Sequence, residues 1–404
     1  IVLGGSYPSY TSVGSTVPVS LTWEKSTTYD VGLDLDFFNN RLSVSGDYYR
    51  RYTTDMYTAS VALPAVYGTG SPKGNNAEMK TDGWELSLSW RDSFKLGGKP
   101  FDYSIKAMVW DSKSVITKYV NDTGSLGTVK GFIENGGSPS SYYVGMTVGE
   151  IWGYTVAGLF RDQADIDSSA IHDFVQASDK VTRPGQVKIA DLDGNGFIDP
   201  GNFAVDDHGD LRIIGNQSPR YRYGVNLSAR WNGIGLSVFL QGVGARDWYP
   251  GSDAGMFWGK YGRPFFALIP SIHNYTDDMY SAERNNWDTA YWPRMTTYQS
   301  NGTKNWTRLL EIPNTRYIQS AAYLRVKNIQ LDYSFPKHIC SAIRLQGLKI
   351  YVNAENLFTF TPLHKYAPNF DPEGLSYDSD FASAADGYTY PILKSVTVGV
   401  NITF

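Results

Sequence analysis

The chain has 404 residues, 19% of them charged and 15% aromatic with 29 tyrosines, and its formal net charge is −4. Because disordered chains combine few aromatics with high net charge, this composition excludes disorder, and no run of about 18 apolar residues predicts a membrane-spanning helix. The near-neutral charge argues against nucleic acid as a partner, and the single cysteine, Cys340, excludes a disulfide framework and a cysteine-based zinc site.

The chain opens with a segment that does not predict a regular element. Residues 1–20 are rich in Ser, Gly and Tyr and lack the charged and apolar regions of a signal peptide. We therefore expect this chain to begin within a larger protein.

The dominant pattern is alternation of apolar and polar residues, which places the apolar side chains of a strand on one face. The first case runs from Tyr29 to Phe37, with Asp30, Asp34 and Asp36 between the apolar residues. Nine strands are predicted in all, at 29–37, 42–48, 84–91, 101–109, 221–231, 234–240, 329–335, 348–354 and 396–404.

The Asn232-Gly233 pair predicts a tight hairpin turn. A change of parity after Val326 predicts a β-bulge near Lys327 and Asn328.

The connections between these strands alternate in length. Short ones are predicted at 38–41, 92–100, 232–233 and 336–345, and long ones at about 53–75, 117–219, 246–316 and 361–388. Tight turns at one end and long loops at the other are typical of an outer-membrane β-barrel, whose strands carry aromatic residues near both membrane surfaces. Aromatic residues near predicted strand ends fit such girdles: Tyr29, Phe37, Trp84, Trp90, Phe101, Tyr221, Trp231 and Phe404. A large soluble β-protein with inward apolar faces is the alternative. Since bacterial barrels usually have an even number of strands, we expect upstream strands to complete the wall.

Several stretches, in order from Trp23 to Phe404, resemble the SusC/RagA-type TonB-dependent outer-membrane transporters. They include YDVGLDLDFFNNRLSVSGDYYRRYTTDM, NAEMKTDGWELSLSWRD, GEIWGYTVAGLF, PGQVKIADLDGNGFID, YLRVKNIQLDYSFP, LKIYVNAENLFTFT and SVTVGVNITF. The resemblance implies an all-β, transmembrane antiparallel barrel of 22 strands, of which residues 1–404 would supply the last nine. The plug domain and the N-terminal strands would lie outside this chain.

The resemblance to these transporters also implies a function. It implies import of an oligosaccharide or an oligopeptide across the bacterial outer membrane, with a SusD-like surface lipoprotein as lid and TonB acting through the N-terminal region. No catalysis and no organic cofactor are expected. A non-transporting structural or adhesive barrel, or a soluble calcium-dependent carbohydrate-binding β-protein, are the alternatives.

One loop motif predicts a divalent cation site. Its oxygen ligands follow the 1-3-5-7-9 spacing of a calcium loop, with the backbone carbonyl of Phe197 at the seventh position: Asp191, Asp193, Asn195, Phe197 and Asp199. The twelfth position is Asn202 rather than the usual Glu, and Asp206 or Asp207 is expected to supply that carboxylate. Ca²⁺ is favoured over Mg²⁺ because all the donors are protein oxygens in a flexible loop. A metal-free turn held by Asp side chains is the alternative.

Two further sets of residues allow a functional interpretation. Aromatic rings in the long connection at 246–316 could contact substrate or lid, or could pack the loop against itself: Trp248, Tyr249, Trp258, Tyr261, Trp287 and Trp292.

Asp371 and Glu373 form a carboxylate pair of the kind glycosidases use, but two nearby acids in a loop are weak evidence. The five histidines are scattered without a zinc-enzyme spacing.

Overall fold

The computed structural model describes residues 19, 21–59, 72–128, 137–172, 182–250, 257, 278–294, 313–375 and 392–404. Almost all regular structure in these residues is β. The strands are β1 (Lys25–Phe37), β2 (Leu42–Ala59), β3 (Lys73–Leu96), β4 (Lys99–Lys118), β5 (Glu150–Tyr154), β6 (Val156–Leu159), β7 (Val187–Ile189), β8 (Leu211–Asn216), β9 (Arg220–Trp231), β10 (Ile234–Ala245), β11 (Asp247–Trp248), β12 (Gln319–Ser320), β13 (Tyr323–Ser334), β14 (Gly347–Phe360) and β15 (Ser395–Thr403). Helices α1 (Gln163–Asp167) and α2 (Lys337–Ala342) and a 3₁₀ turn (Pro362–Lys365) are short.

Nine of these strands form one antiparallel sheet, here called the wall. Its order is β1-β2-β3-β4-β9-β10-β13-β14-β15, so each long strand pairs with the next one along the chain. The nine predicted strands and their sequential antiparallel order are thereby confirmed. Among the described residues, β1 and β15 each pair along one edge only.

The tight turns lie at one end of the wall. Asn232 and Gly233 form the predicted two-residue turn, with φ of 47° and 88°, as a hairpin of this type requires. The connection predicted at 92–100 is too long. Strand β3 ends at Leu96 and β4 begins at Lys99, so the turn consists of Gly97 and Gly98, whose φ values are both positive. The turn at 335–346 contains α2, which alternation could not reveal because helices have a different period.

A β-bulge interrupts β13 where the sequence parity changes. Val326 pairs with Leu240 and Asn328 pairs with Phe239, so Lys327 is the additional residue. The side chains of Lys327 and Asn328 therefore share one face, and Ile329 returns to the other. The predicted bulge is confirmed.

The register gives the wall two chemically different faces. One cross-strand row passes through all nine strands and is apolar throughout: Phe37, Leu42, Trp90, Ile105, Leu227, Val238, Ile329, Ala354 and Val396. The row beside it is polar from β3 to β15: Arg91, Ser104, Ser228, Ser237, Gln330, Asn353 and Thr397. We call these the apolar face and the polar face. The apolar face leaves large side chains exposed, such as Val398 at 73%.

The described parts of the long connections fold into a layer at the other end of the wall, here called the loop layer. It carries the paired strands β5–β8, β6–β7 and β11–β12. Its buried apolar residues form one cluster that includes Trp152, Tyr154, Leu211 and Trp248. The main hydrophobic core among the described residues therefore lies in the loop layer. No helix in this part of the chain has the length and apolar character needed to span a membrane.

Candidate functional site

Three of the aromatic residues that sequence analysis assigned to substrate or lid contact lie in the interior of the loop layer. Trp248, Tyr249 and Trp292 are each 0% exposed. Trp292 stacks on Tyr317 with ring centroids 5.7 Å apart, and Asn314 Nδ2 donates to Tyr249 Oη at 2.9 Å. In this arrangement the three side chains have no surface available to a ligand. They support the alternative that these aromatic residues pack the loop against itself.

The other three aromatic candidates differ. Trp287 is only partly buried and packs against the edge of the same cluster, so part of its indole ring faces outward. Trp258 and Tyr261 lie outside the described residues. Trp287 is therefore the described candidate with an exposed aromatic surface.

The Asp-rich loop, residues 191–199, is held by its own side chains. Asp191 accepts hydrogen bonds from Gly194 N at 2.6 Å and Gly196 N at 2.9 Å. Asp193 accepts from Asn195 N at 3.0 Å, and Asn195 Oδ1 accepts from Phe197 N at 2.7 Å. The Gly196 N–H is the main reason that the pKa of Asp191 lies below its ordinary value. Asp191 thus presents an ionised carboxylate in a loop held by side-chain to backbone hydrogen bonds.

A residue that sequence analysis did not single out completes this acidic group. Asp210 is fully buried, and its carboxylate accepts from Leu192 N at 2.6 Å and Asp199 N at 3.1 Å. Carboxylate oxygens of Asp191, Asp193 and Asp210 lie within 4.8 Å of one another. Burial, reinforced by the neighbouring Asp193 and Asp191, raises the pKa of Asp210.

The remaining predicted members of the cation site are placed otherwise. Asp199 Oδ1 accepts from Gly201 N at 2.7 Å, and the Phe197 side chain is 48% exposed. Asp207, one of two residues expected to add a carboxylate, accepts a hydrogen bond from Asn202. Among the described residues, Asp210 rather than Asp206 or Asp207 lies in the acidic group with Asp191 and Asp193.

A buried ionic cluster joins the loop layer to the polar face of the wall. Arg325 Nη2 lies 2.6 Å from Asp371 Oδ1, and Arg325 Nη1 lies 3.1 Å from Glu373 Oε1. Lys327 Nζ lies 2.8 Å from Glu373 Oε2, and Arg325 Nε donates to Thr359 Oγ1 at 2.9 Å. We call Arg325, Lys327, Asp371 and Glu373 the latch. Each carboxylate of the Asp371–Glu373 pair is neutralised by a cation of β13.

The latch has a second attachment nearby. The Arg246 guanidinium donates to Gln217 O at 3.1 Å, to Pro372 O at 3.2 Å and to Leu375 O. Burial alone would raise the pKa of Asp371, but the Arg325 guanidinium and the Glu373 N–H outweigh it and lower the pKa. Asp371 therefore serves as a structural anion and does not have the raised pKa of a glycosidase acid.

A polar cleft opens beside the latch. Its volume is about 670 Å³, within the range of ligand-binding pockets. It is lined by Ser138, Tyr142, Glu150, Gln217, Arg246 and Glu373, among others. Gln217 Nε2 donates to Ser138 Oγ at 2.9 Å, while Gln217 Oε1 is buried and accepts no hydrogen bond from the described residues. The cleft thus offers neutral donors and acceptors together with an exposed tyrosine ring.

The known proteins whose sequences are similar to this chain are TonB-dependent receptors. Residues 3–173 match the family described as TonB dependent receptor-like, beta-barrel. TonB-dependent receptor P3 of Formosa agariphila is 26% identical over 95% of this chain and 34% of its own length. TonB-dependent receptor SusC of Bacteroides thetaiotaomicron is 24% identical over 95% of this chain and 32% of its own. The chain spans about a third of the length of the curated relatives it matches.

Solved structures share the fold. The RagAB peptide importer in its open-open state matches with a TM-score of 0.66 and 20% identity, over 97% of this chain and 36% of the solved chain. Its closed-closed state matches with a TM-score of 0.65 and 20% identity, over 97% and 37%. The all-β, antiparallel barrel-segment fold predicted from the sequence is therefore confirmed.

Proposed function

We propose, from the resemblance to SusC/RagA-type TonB-dependent transporters and the similarity to TonB-dependent receptors, that this chain forms the C-terminal part of an outer-membrane import barrel. Residues 1–404 would supply its last nine strands, with the plug domain and the upstream strands outside this chain. TonB would act through that N-terminal region. The apolar face would contact lipid as a multi-pass β-strand surface.

The two faces of the wall are the observation that carries this proposal. A sheet in a soluble β-protein packs its apolar face against a second layer. Here Leu88, Ile105 and Leu236, which lie on strands paired along both edges, are 42%, 43% and 42% exposed on that face, while the polar face carries serines, Gln330, Asn353 and Thr397. An outward apolar band with a polar interior is the arrangement of transmembrane β-barrels.

The cargo would be a nutrient oligomer, either an oligosaccharide or an oligopeptide. The cleft beside the latch supports this proposal because neutral hydrogen-bonding groups and a tyrosine ring suit hydroxyl or amide groups. The RagAB structures are of a peptide importer, but likeness at this identity concerns the fold and does not choose between the two cargo classes.

A SusD-like surface lipoprotein would cover the loop layer as a lid. This partner is supported by the size of the layer and by Trp287, whose ring is partly exposed at the edge of the packed core. Partner interfaces are enriched in such aromatic residues. Because the deeper rings are already packed, the lid would bind the outer surface of the layer and leave its core intact.

A divalent cation would be held by Asp191, Asp193 and Asp210, with Ca²⁺ favoured over Mg²⁺. Three carboxylates within 4.8 Å of one another repel, and a hard cation with oxygen ligands would offset both that repulsion and the burial of Asp210. The cation would stabilise the loop layer and would take no part in catalysis.

The decisive experiment deletes the chromosomal gene and measures growth of the deletion strain on single glycans and single peptides as carbon sources. Loss of growth on one class, restored by the wild-type gene, would support import and identify the cargo. Unchanged growth on every substrate would favour a structural or adhesive barrel. Recovery of the complete protein from the soluble fraction without detergent would favour the calcium-dependent carbohydrate-binding protein instead.

A further inference from the structure

The apolar face changes character toward the loop-layer ends of β2, β3 and β4. Residues two apart on a strand share a face, so β3 presents Leu88 and Leu86, then Trp84, then Asp82 and Lys80 on this side. In register, Tyr48 pairs with Trp84, Arg50 pairs with Asp82, and Asp82 pairs with Lys113. We call Arg50, Lys80, Asp82 and Lys113 the cationic rim.

The rim is a connected group with excess positive charge. Arg50 Nε lies 2.5 Å from Asp82 Oδ1, and Lys80 Nζ lies 3.3 Å from Asp82 Oδ2. Tyr48 Oη donates to the same carboxylate at 3.1 Å. One carboxylate is therefore shared by two cations, and Lys113 adds a third. The side chains of Arg50 and Lys80 are 42% and 32% exposed.

The neighbouring acidic groups in the described part of the chain do not cancel this excess. Asp111 lies beside Trp84 in register, but Arg220 binds it through two contacts of 2.6 and 2.5 Å. Asp55 is paired with Lys25 at 2.9 Å, and Glu78 is paired with Lys118 at 3.2 Å. The anions around the rim thus already have cationic partners of their own.

We propose that the cationic rim binds the phosphate groups of lipid headgroups in the outer leaflet of the outer membrane. The proposal rests on the membrane orientation proposed above, since the rim lies at the loop-layer border of the face assigned to lipid. Tyr48 and Trp84 lie at this border, where aromatic side chains mark the boundary between hydrocarbon and headgroups. Arg and Lys beyond that boundary meet phosphate through charge-assisted hydrogen bonds.

The test uses the complete protein, purified in detergent, with phosphorylated and dephosphorylated lipid A as probes in native mass spectrometry. The wild-type protein should bind the phosphorylated lipid more tightly. The double variant Lys80→Gln/Lys113→Gln keeps the Arg50–Asp82 pair and should lose about 25-fold in affinity for it, about fivefold per cation. Affinity for the dephosphorylated lipid should not change.

Lys106→Gln is the matched control, because Lys106 is a lysine of β4 that pairs with Ser89 and Asn226 on the polar face. It should bind phosphorylated lipid A like the wild type. Equal affinity of the wild-type protein for both lipids would overturn the proposal, and that comparison does not depend on how any variant folds. Equal losses in Lys106→Gln and the double variant would also overturn it. Failure of the protein to enter membranes would instead count against the proposed function.

Discussion

Lys327 Nζ lies 2.8 Å from Glu373 Oε2, and this ion pair joins the β-bulge of β13 to a loop 46 residues further along the chain. The bulge places Lys327 and Asn328 on the polar face together with Arg325. Two cations of one strand can therefore contact Asp371 and Glu373 at once. The bulge thus links the geometry of the wall to the position of the loop layer.

Replacing Arg325 by Met should release the latch. The Arg325 side chain is 4% exposed and the Asp371 side chain 10%, and removing one partner of a buried ion pair costs about 3–5 kcal/mol. Hydrogen exchange of the amides at 366–375 should become faster, with little change in β14 and β15. Lys106→Met, a lysine lost from the same face of another strand, should leave exchange at 366–375 unchanged. Similar exchange in both variants would mean that Lys327 and Arg246 hold the loop without Arg325.

The latch should also depend on pH. The pKa of Asp371 is lowered in the folded protein, so its stabilising contribution is present above its ordinary pKa of about 3.9. That contribution is lost as the pH falls through the lowered value. Hydrogen exchange at 366–375, corrected for its intrinsic pH dependence, should accelerate below about pH 4. In Asp371→Asn the same segment should exchange faster at neutral pH without that acid dependence. An acid transition that persists in this variant would show that Asp371 is not its origin.

The faces of β15 predict opposite effects of arginine at adjacent positions. Val398 pairs with Val352 on the apolar face, and Thr397 pairs with Asn353 on the polar face. Val398→Arg should destabilise the barrel in lipid by about 2–4 kcal/mol, whereas Thr397→Arg should have a much smaller effect. Urea unfolding in lipid vesicles measures both. If Val398→Arg assembles normally and Thr397→Arg does not, the assignment of the faces is reversed.

The sequence predicted the wall because its pattern is local. Alternation over a few residues fixes which side chains share a face, and the parity change after Val326 was enough to locate the bulge. The latch could not be predicted in this way, because Arg325 and Asp371 are brought together over 46 residues. Two cations at 325 and 327 and two anions at 371 and 373 were the available signal. Asp210 was not predicted as part of the acidic group, because its position beside Asp191 and Asp193 depends on its burial, which the sequence does not reveal.

If a cation is bound, the aspartates of residues 191–210 should differ in their effect on calcium binding, according to whether they belong to the acidic group. Asp193→Asn and Asp210→Asn should each weaken calcium binding to the purified protein by about tenfold or more, because carboxylate ligands set the affinity of such sites. Asp206→Asn changes an acid outside the clustered group and should bind like the wild type. Isothermal titration with calcium chloride measures all three. No binding of Ca²⁺ or Mg²⁺ by the wild-type protein would identify the loop as a metal-free turn.

The lid proposal is tested most sharply by two tryptophans of one segment, because deleting 250–310 would also remove core residues such as Trp292. Trp292 is 0% exposed, so Trp292→Ala should cost about 3–5 kcal/mol of stability and loosen the whole loop layer. Trp287 is partly exposed at the edge of the cluster. Trp287→Ala should therefore weaken co-purification of the lipoprotein partner while the loop layer remains protected from protease. If the partner is retained fully by Trp287→Ala and lost only with the unfolding of Trp292→Ala, the aromatic residues serve packing alone and the lid binds another surface.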